Sequence, residues 1–532
     1  MAFRIVEIVV VAMMSCVASM HCVHMLQMNR YQLPGYRQWR ARNRDRILKE
    51  NVLLSFVAAV TSLYLPVLLS LFINGEAVRR VVASWLAILL FTGVTGWIAW
   101  RDYTLPAKKP FVFTHRVRRF TAVLAVLCLM GASLLRLLNI PPYFLFAAMP
   151  FIVDLTAMII NPYENRLNAG FFKSAKLKLR KRKDLITIGI TGSFGKTNVK
   201  FILRDMLSRK YNVLATPASF NTAMGISRVV NDDLTDAHQV FIAEMGATHV
   251  GDIKHLVELV RPKYGILTSV GSRHLDTFGS LENIASTKYE LIQGLPREGG
   301  LAVFGSGDDY IDRLYAMCRK DKCRVSLDPE AEAFMKAEQI AYSDKGTTFV
   351  MTCQDGGRVA CRTPLLGSFN VKNILLAAAL AHKLGLELDV IADAISTLKP
   401  IDHRLALECD ELNIIDDTLN EDPDGAFEAL HVIAQMPGRR IVVTPGLCGL
   451  GARESEVNYA LGTVMADCAD TVILVGDHNA QRGIRRGLIQ SGFSRTSLHA
   501  VEDMEDASDL LDEISETGDT ALFESSVPMD EE

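Results

Sequence analysis

The chain holds 532 residues, enough for several domains, and 49% of them are hydrophobic. Its net charge of −3 points to no particular class of partner, and ten scattered cysteines without a C-x-x-C pair exclude a zinc-ribbon framework and fit reduced cytosolic thiols. The hydrophobic average hides a division: residues 1 to about 160 carry long apolar runs, and everything after has ordinary soluble α/β composition.

Val52 to Ile73 and Val81 to Trp100 are charge-free and long enough to cross a hydrocarbon core of ~30 Å as helices. Ile8 to Leu26, Phe120 to Leu138 and Pro142 to Ile160 are further candidates, although they carry His21 and His24, Arg136, and Asp154 respectively. The basic stretches Arg30 to Lys49, Arg101 to Arg119 and Lys173 to Lys183 set the topology. With about five spans all three fall on the cytoplasmic side, the N-terminus lies outside, and residue 161 onward is delivered to the cytoplasm. The main basic block follows the first apolar run instead of preceding it, which speaks against a cleaved signal peptide. The basic residues between 173 and 183 read as facing membrane lipid and not nucleic acid. The expected localisation is the cell membrane, multi-pass, with residues 1–163 as a membrane region.

The run from Ile186 to Thr197 reads as a buried strand of branched residues, a Gly-rich loop, and then a helical segment from Asn198 to Lys210. That order makes a phosphate cradle. Gly192 and Gly195 let backbone N–H groups approach phosphate, the helix N-terminus adds partial positive charge, and Lys196 adds a full one. Thr197 is then placed to hold Mg²⁺. The spacing departs from G-x-x-x-x-G-K-[ST], because Ile190 stands where the first glycine belongs, and what remains is T-G-x-x-G-K-T. A glycine turn ahead of a surface helix is the plain alternative.

Val240 to Ala243 is a short buried strand that ends at Glu244, where an acidic residue on the Mg²⁺ side belongs. Tyr264 to Val270 is another strand, emptying into a segment with His274 and followed by a helix through Lys288. Three strand ends in one doubly wound sheet converge on the same edge, which is where such sheets bind ligands.

These residues carry a resemblance. Thr191-Gly192-Ser193-Phe194-Gly195-Lys196-Thr197, Glu244-Met245-Gly246-Ala247, and His274 to Ser280 with Lys288-Tyr289-Glu290 resemble the ATP-dependent Mur ligases of peptidoglycan synthesis, and within them the branch that adds D-alanyl-D-alanine. Thr216 to Thr222 resembles the family's substrate-side T-P-x-x-x-N loop, Gly367 to Asn373 its G-x-H-N-x-x-N segment, Arg404 its linker arginine, and Ile414 to Pro423 the D-D-x-Y-N-x-N-P segment that opens the third domain. The resemblance covers about residues 161 to 532.

The resemblance implies roles. Thr191, Gly192, Ser193, Gly195, Lys196 and Thr197, with Asn370, Asn373 and Arg404, would hold ATP. Thr197, Glu244, His274 and Lys288 would hold Mg²⁺, Lys288 as a carbamate. Lys196, His274 and Lys288 would carry the chemistry; Asn221, Thr222, Asp417 and Asn420 would contact substrates. The residues of Lys288's own segment read otherwise, as a solvated helix. The sequence departs from the family at Phe369 for His, Ser306 for an adenine-contacting Asn, and Leu419 for Tyr, and five spans stand where a soluble UDP-gripping domain is usual.

The expected architecture is a transmembrane helical region, a P-loop-type α/β central domain (164–400) with a mostly parallel sheet, and a Rossmann-like α/β domain (401–532). Strands at Leu412 to Ile415, Arg440 to Thr444, Thr471 to Val475 and Thr520 to Phe523 build the last of these. The expected activity is a membrane-anchored, ATP-dependent amide ligase acting through an acyl phosphate. Its acid is a UDP-linked or lipid-linked cell-wall precursor and its amine D-alanyl-D-alanine or another amino acid or dipeptide. Two alternatives are a polyglutamate ligase and a nucleotide-driven transporter or regulator, the last favoured by Asp154 inside an apolar span. Nothing in the sequence speaks to oligomeric state.

Overall fold

The computed structural model describes residues 2–29, 31–71, 75–104, 111–218, 220–271, 275–400, 405–409, 412–418, 423–448, 450, 453–476 and 479–525. The chain forms two compact units, residues 1–170 and 171–532.

The first unit is helical. Among the described residues, four segments are long and apolar enough to cross a membrane: Arg4–Met28, Lys49–Leu71, Val81–Thr104 and His115–Leu137. They match the first four expected spans. The fifth, Pro142 to Ile160, is corrected. A four-residue helix, Phe144–Ala147, precedes the long helix Met149–Lys181, and Pro150 sits in the first turn of the latter. Pro150 has no N–H to continue the preceding helix, so the chain restarts there. The segment still turns back along His115–Leu137. Met149 Sδ lies 3.7 Å from Cys128 Sγ, Arg116 Nη2 donates to Asn161 Oδ1 at 3.0 Å, and Arg119 Nε meets Glu164 Oε1 at 2.6 Å.

Ion pairs fasten this unit. Arg37 and Arg40 reach Asp154 Oδ2 at 3.0 and 3.4 Å, Arg101 reaches Glu50 at 2.9 Å, and Arg136 reaches Glu7 at 3.5 Å. Asp154 is buried between two guanidinium groups, so pairing accounts for a carboxylate that a transport pathway was invoked to explain.

The second unit holds two sheets. The first runs β1 (Ile186–Thr191), β2 (Val213–Ala215), β3 (Val240–Glu244), β4 (Tyr264–Leu267), β5 (Leu301–Phe304), β6 (Lys322–Ser326), β7 (Met335–Ser343), β8 (Gly346–Cys353) and β9 (Arg358–Thr363) along the chain. In space the order is β2-β3-β1-β4-β5-β6-β7-β8-β9. Pairing is parallel up to β7 and antiparallel through β7-β8-β9. β1 is buried from Thr187 to Thr191, as a central strand covered on both faces must be. A Cβ at Gly189 would stand 2.7 Å from Leu291, so the glycine lets the helix Leu281–Gly294 press onto β1. The expected strand Tyr264 to Val270 stops at Leu267: Thr268 N still donates to Thr191 O, but the Thr268 hydroxyl and Ser269 turn to the loop after β1. The helix expected from Asn198 is Lys196–Leu207.

The second sheet contains β10 (Ala406–Cys409), β11 (Asn413–Asp417), β12 (Arg440–Thr444), β13 (Thr471–Val475), β14 (Leu498–Val501) and β15 (Thr520–Glu524), in the order β10-β11-β15-β12-β13-β14. Only β10 against β11 is antiparallel. The mostly parallel α/β fold class expected from the sequence is the one observed.

Candidate active site

The loop after β1 is shaped by its glycines. Gly195 has φ +77° and is the N-cap of Lys196–Leu207; a Cβ there would stand 2.4 Å from Asn373 Oδ1. A Cβ at Gly192 would meet Thr268 Oγ1 at 1.8 Å. Only glycine fits either place. Ser193 N donates to Ser269 O at 2.9 Å, Ser193 Oγ to Gly271 O at 3.1 Å, and Thr191 Oγ1 to Met245 O at 2.9 Å, so strand ends β1, β3 and β4 are laced together. Lys196 Nζ donates to Gly192 O and Ser193 O at 2.7 and 3.0 Å, folding its charge over the loop.

Glu244, at the end of β3, gathers the next residues. Thr197 Oγ1 donates to its Oε2 at 3.0 Å and Asn221 Nδ2 to its Oε1 at 3.1 Å. The sequence reading missed a third partner. Lys200 Nζ meets Oε2 at 2.9 Å, with the two side chains 0% and 1% exposed, and also donates to Ala218 O. Burial pulls the Lys200 ammonium below the ordinary lysine range, and the Glu244 charge opposes the shift. The signal was present: Lys200 follows Lys196 by one helical turn, between the apolar Val199 and Leu203 on a buried face.

Asn370 Oδ1 accepts from Asn198 Nδ2 at 3.0 Å while its own Nδ2 donates to Leu366 O. Thr222 caps the helix Ala223–Asp232 by accepting from Gly225 N, which places Asn221 just ahead of that helix. Lys288 lies on Leu281–Gly294 and is 5% exposed, so the solvated-helix alternative is corrected by burial. His274, Arg404 and Asn420 lie outside the described residues. Lys372 also escaped the sequence reading. It donates to Ser306 O, and burial lowers its pKa while Asp308 and Asp312 oppose this. Asp308 Oδ2 in turn accepts from Val270 N at 2.8 Å.

A hydroxyl and a carboxylate meeting at 3.0 Å beside the glycine turn are hard oxygen donors, and they fit a hard divalent cation next to phosphate. Lys196 and the Lys196–Leu207 N-terminus fit the phosphates themselves.

Comparison with known families decides what this arrangement belongs to. Residues 190–381 match the Mur ligase middle domain and residues 403–527 the Mur ligase glutamate ligase domain. The chain belongs to the Mur ligase family. It is 29% identical over 358 residues to the UDP-N-acetylmuramoyl-tripeptide--D-alanyl-D-alanine ligase of Escherichia coli (strain K12), spanning 66% of this chain and 77% of that one. The enzyme of the same name from Mycobacterium tuberculosis (strain ATCC 25618 / H37Rv) is 33% identical over 260 residues, 48% of this chain and 50% of that one. Among solved structures, MurF ligase from Thermotoga maritima in complex with ADP superposes with a TM-score of 0.59 at 24% identity, covering 68% of this chain and 80% of that one. This Mur ligase is an ATP-dependent, ADP-forming ligase.

The second sheet of this Mur ligase has its own carboxyl edge. Asp417 is buried, accepts from Leu405 N at 3.0 Å, and lies in register with Glu524. Glu524 accepts from Thr444 Oγ1 and Ser525 Oγ, and burial pushes its carboxyl up to about 7. The stretch after Thr444 starts buried: Pro445, Gly446 and Leu447 are inside, and Asn458 bonds both N–H and C=O of Leu447. A cavity of about 660 Å³ with Gln481, Arg482, Arg485 and Glu502 in its wall adjoins β13 and β14, a site no sequence motif had marked. Phe369, at the family's His position, packs against the core of this second sheet.

Proposed function

We propose that this Mur ligase joins the carboxylate of a muramoyl-peptide cell-wall precursor to D-alanyl-D-alanine through an acyl phosphate, from a membrane-anchored position with its catalytic unit in the cytoplasm. The observation that carries the reading is the meeting of Thr197, Lys200 and Asn221 on Glu244 beside the Lys196 loop, which unites three separate motifs at one sheet edge. The named relatives, whose printed names give a UDP-N-acetylmuramoyl tripeptide and D-alanyl-D-alanine, support the substrates. The four apolar helices support the anchor.

In this reading Lys196 leaves the loop carbonyls for the transferring phosphoryl group, and the N-terminal turn of Lys196–Leu207 faces the adjacent oxygens. Mg²⁺, when bound, neutralises phosphate charge, and Thr197, Glu244, His274 and Lys288 are the groups that would hold it. Lys288, once carbamylated, turns a cation that repels the metal into an anion that binds it. Asn370, Asn373 and Arg404 serve the nucleotide, Asn221 and Thr222 the acid, and Asp417 and Asn420 the amine. The substrate carboxylate oxygen attacks the γ-phosphorus and ADP leaves; the amine nitrogen then attacks the acyl carbon, phosphate leaves, and the amine gives up a proton.

The test uses the full-length chain in detergent with ATP, Mg²⁺, D-alanyl-D-alanine and a UDP-muramoyl tripeptide. Phosphate release should require both acid and amine, and mass spectrometry should show the acid gaining one dipeptide less water. Phosphate release indifferent to both additions would defeat the proposal.

A further inference from the structure

The helical unit contains a polar pocket of about 310 Å³ with Tyr31, Gln32, Arg116, Asn161, Asn165 and Asn168 in its wall. Its position is informative. The apolar segment Arg4–Met28 ends just before it and His115–Leu137 begins at it, so in a bilayer the pocket lies at headgroup depth. Asn161, Asn165 and Asn168 follow helical spacing and share one face of Met149–Lys181.

Arg116 is the charged group of the pocket among the described residues. Its guanidinium lies 3.8 Å over the Tyr31 ring, its Nη2 donates to Asn161 Oδ1 at 3.0 Å, and its Nε has no acceptor. Arg37, Arg40, Arg101, Arg119 and Arg136 each meet a carboxylate within this unit. Arg116 meets none among the described residues. Asn161 also donates to Tyr31 O at 3.3 Å, and Tyr31 has φ +60°, a left-handed conformation that a bulky residue adopts only where its surroundings impose it. The aromatic face lies under a half-buried cation on which Glu164, paired to Arg119, acts only through space, so the Arg116 guanidinium makes no ion pair of its own among the described residues.

We propose that this pocket binds the phosphate or diphosphate ester of a lipid headgroup. The guanidinium fork pairs with phosphate oxygens, the amides offer donors and acceptors to the rest of the headgroup, and the apolar chain lies along the spans. Resting on the ligase reading above, the lipid is then the acid substrate's anchor, and the helical unit recognises the end of the precursor distant from the reacting carboxylate.

The experiment places the full chain in phosphatidylcholine nanodiscs and titrates a polyprenyl diphosphate, with no ATP present. Saturable binding is expected, weakened about tenfold or more by Arg116→Gln. Asn165→Asp, at an exposed position, adds a repelling charge without disturbing the core and should weaken binding likewise. Arg119→Gln, which breaks a paired arginine, controls for damage to the fold, and thermal melts accompany each variant. Inorganic diphosphate at the same concentration should fail to displace the lipid. Wild-type affinity in Asn165→Asp and Arg116→Gln, or no saturable binding to the wild type, overturns the pocket, and displacement by inorganic diphosphate at equal affinity overturns the lipid. Because ATP is absent, any of these results leaves the ligase chemistry to its own test.

Discussion

Lys200 changes how Glu244 is to be understood. In the proposed function Glu244 meets a metal, and a buried carboxylate needs compensation before that metal arrives; the Lys200 ammonium at 2.9 Å supplies it. Lys200→Met should therefore leave an uncompensated buried charge and cost roughly 3–5 kcal/mol. The melting temperature should fall, and added Mg²⁺ should recover more of it in the variant than in the wild type; a melt indifferent to Mg²⁺ in both counts against the metal. Lys196→Ala should lower phosphate release by about 10²-fold or more while the melt is retained, since it removes charge stabilisation needed only in the transition state. Lys288→Ala should abolish turnover, and short carboxylic acids should restore part of it by supplying an oxygen ligand in the vacated space. Lys288→Arg should resist rescue, because guanidinium fills the space and keeps its charge. At this scale the sequence was legible where a residue type has one chemistry. Lys196 beside two glycines could be read, whereas Lys200 and Lys372 differ from surface lysines only in burial, which tertiary packing creates.

Among the elements, strand ends gather the residues of the proposed site and strand bodies carry the fold. β1 and β3 were readable because unbroken branched residues match a parallel strand buried on both faces. The true end of β4 at Leu267 was not, because the hydroxyls of Thr268 and Ser269 bond loop partners 74 and 75 residues away in the chain. β15 shows the same principle in the second sheet. Glu524 keeps a proton in the folded state that the unfolded chain releases near pH 4.5, its folded value being about 7. The native state thus loses stability as pH rises through that window, by roughly 3 kcal/mol from this group alone. Glu524→Gln, which cannot ionise, should lose less stability than the wild type between pH 5 and pH 8, measured by thermal melts of the full chain. Equal losses in the two proteins would assign the pH dependence elsewhere.

For the whole molecule, the four apolar helices and the return of Pro142 to Ile160 were legible from length and charge, while the break inside that return was not. The break follows from Pro150, and the two pairs on Asp154 join residues more than a hundred positions apart. If the return segment brings the chain back to the side of the basic stretches, a reporter after Glu532 should be inaccessible from outside intact cells, and one before Met1 accessible. The pairs also impose an order of manufacture. Arg37, Arg40 and Arg119 leave the ribosome well before Asp154 and Glu164, the carboxylates they meet in the finished unit. A nascent chain ending near Leu138 holds three guanidinium groups awaiting partners, and membrane proteases should clear it faster than a chain ending near Lys181. The cell would thereby be spared an orphan anchor that occupies the bilayer without its enzyme.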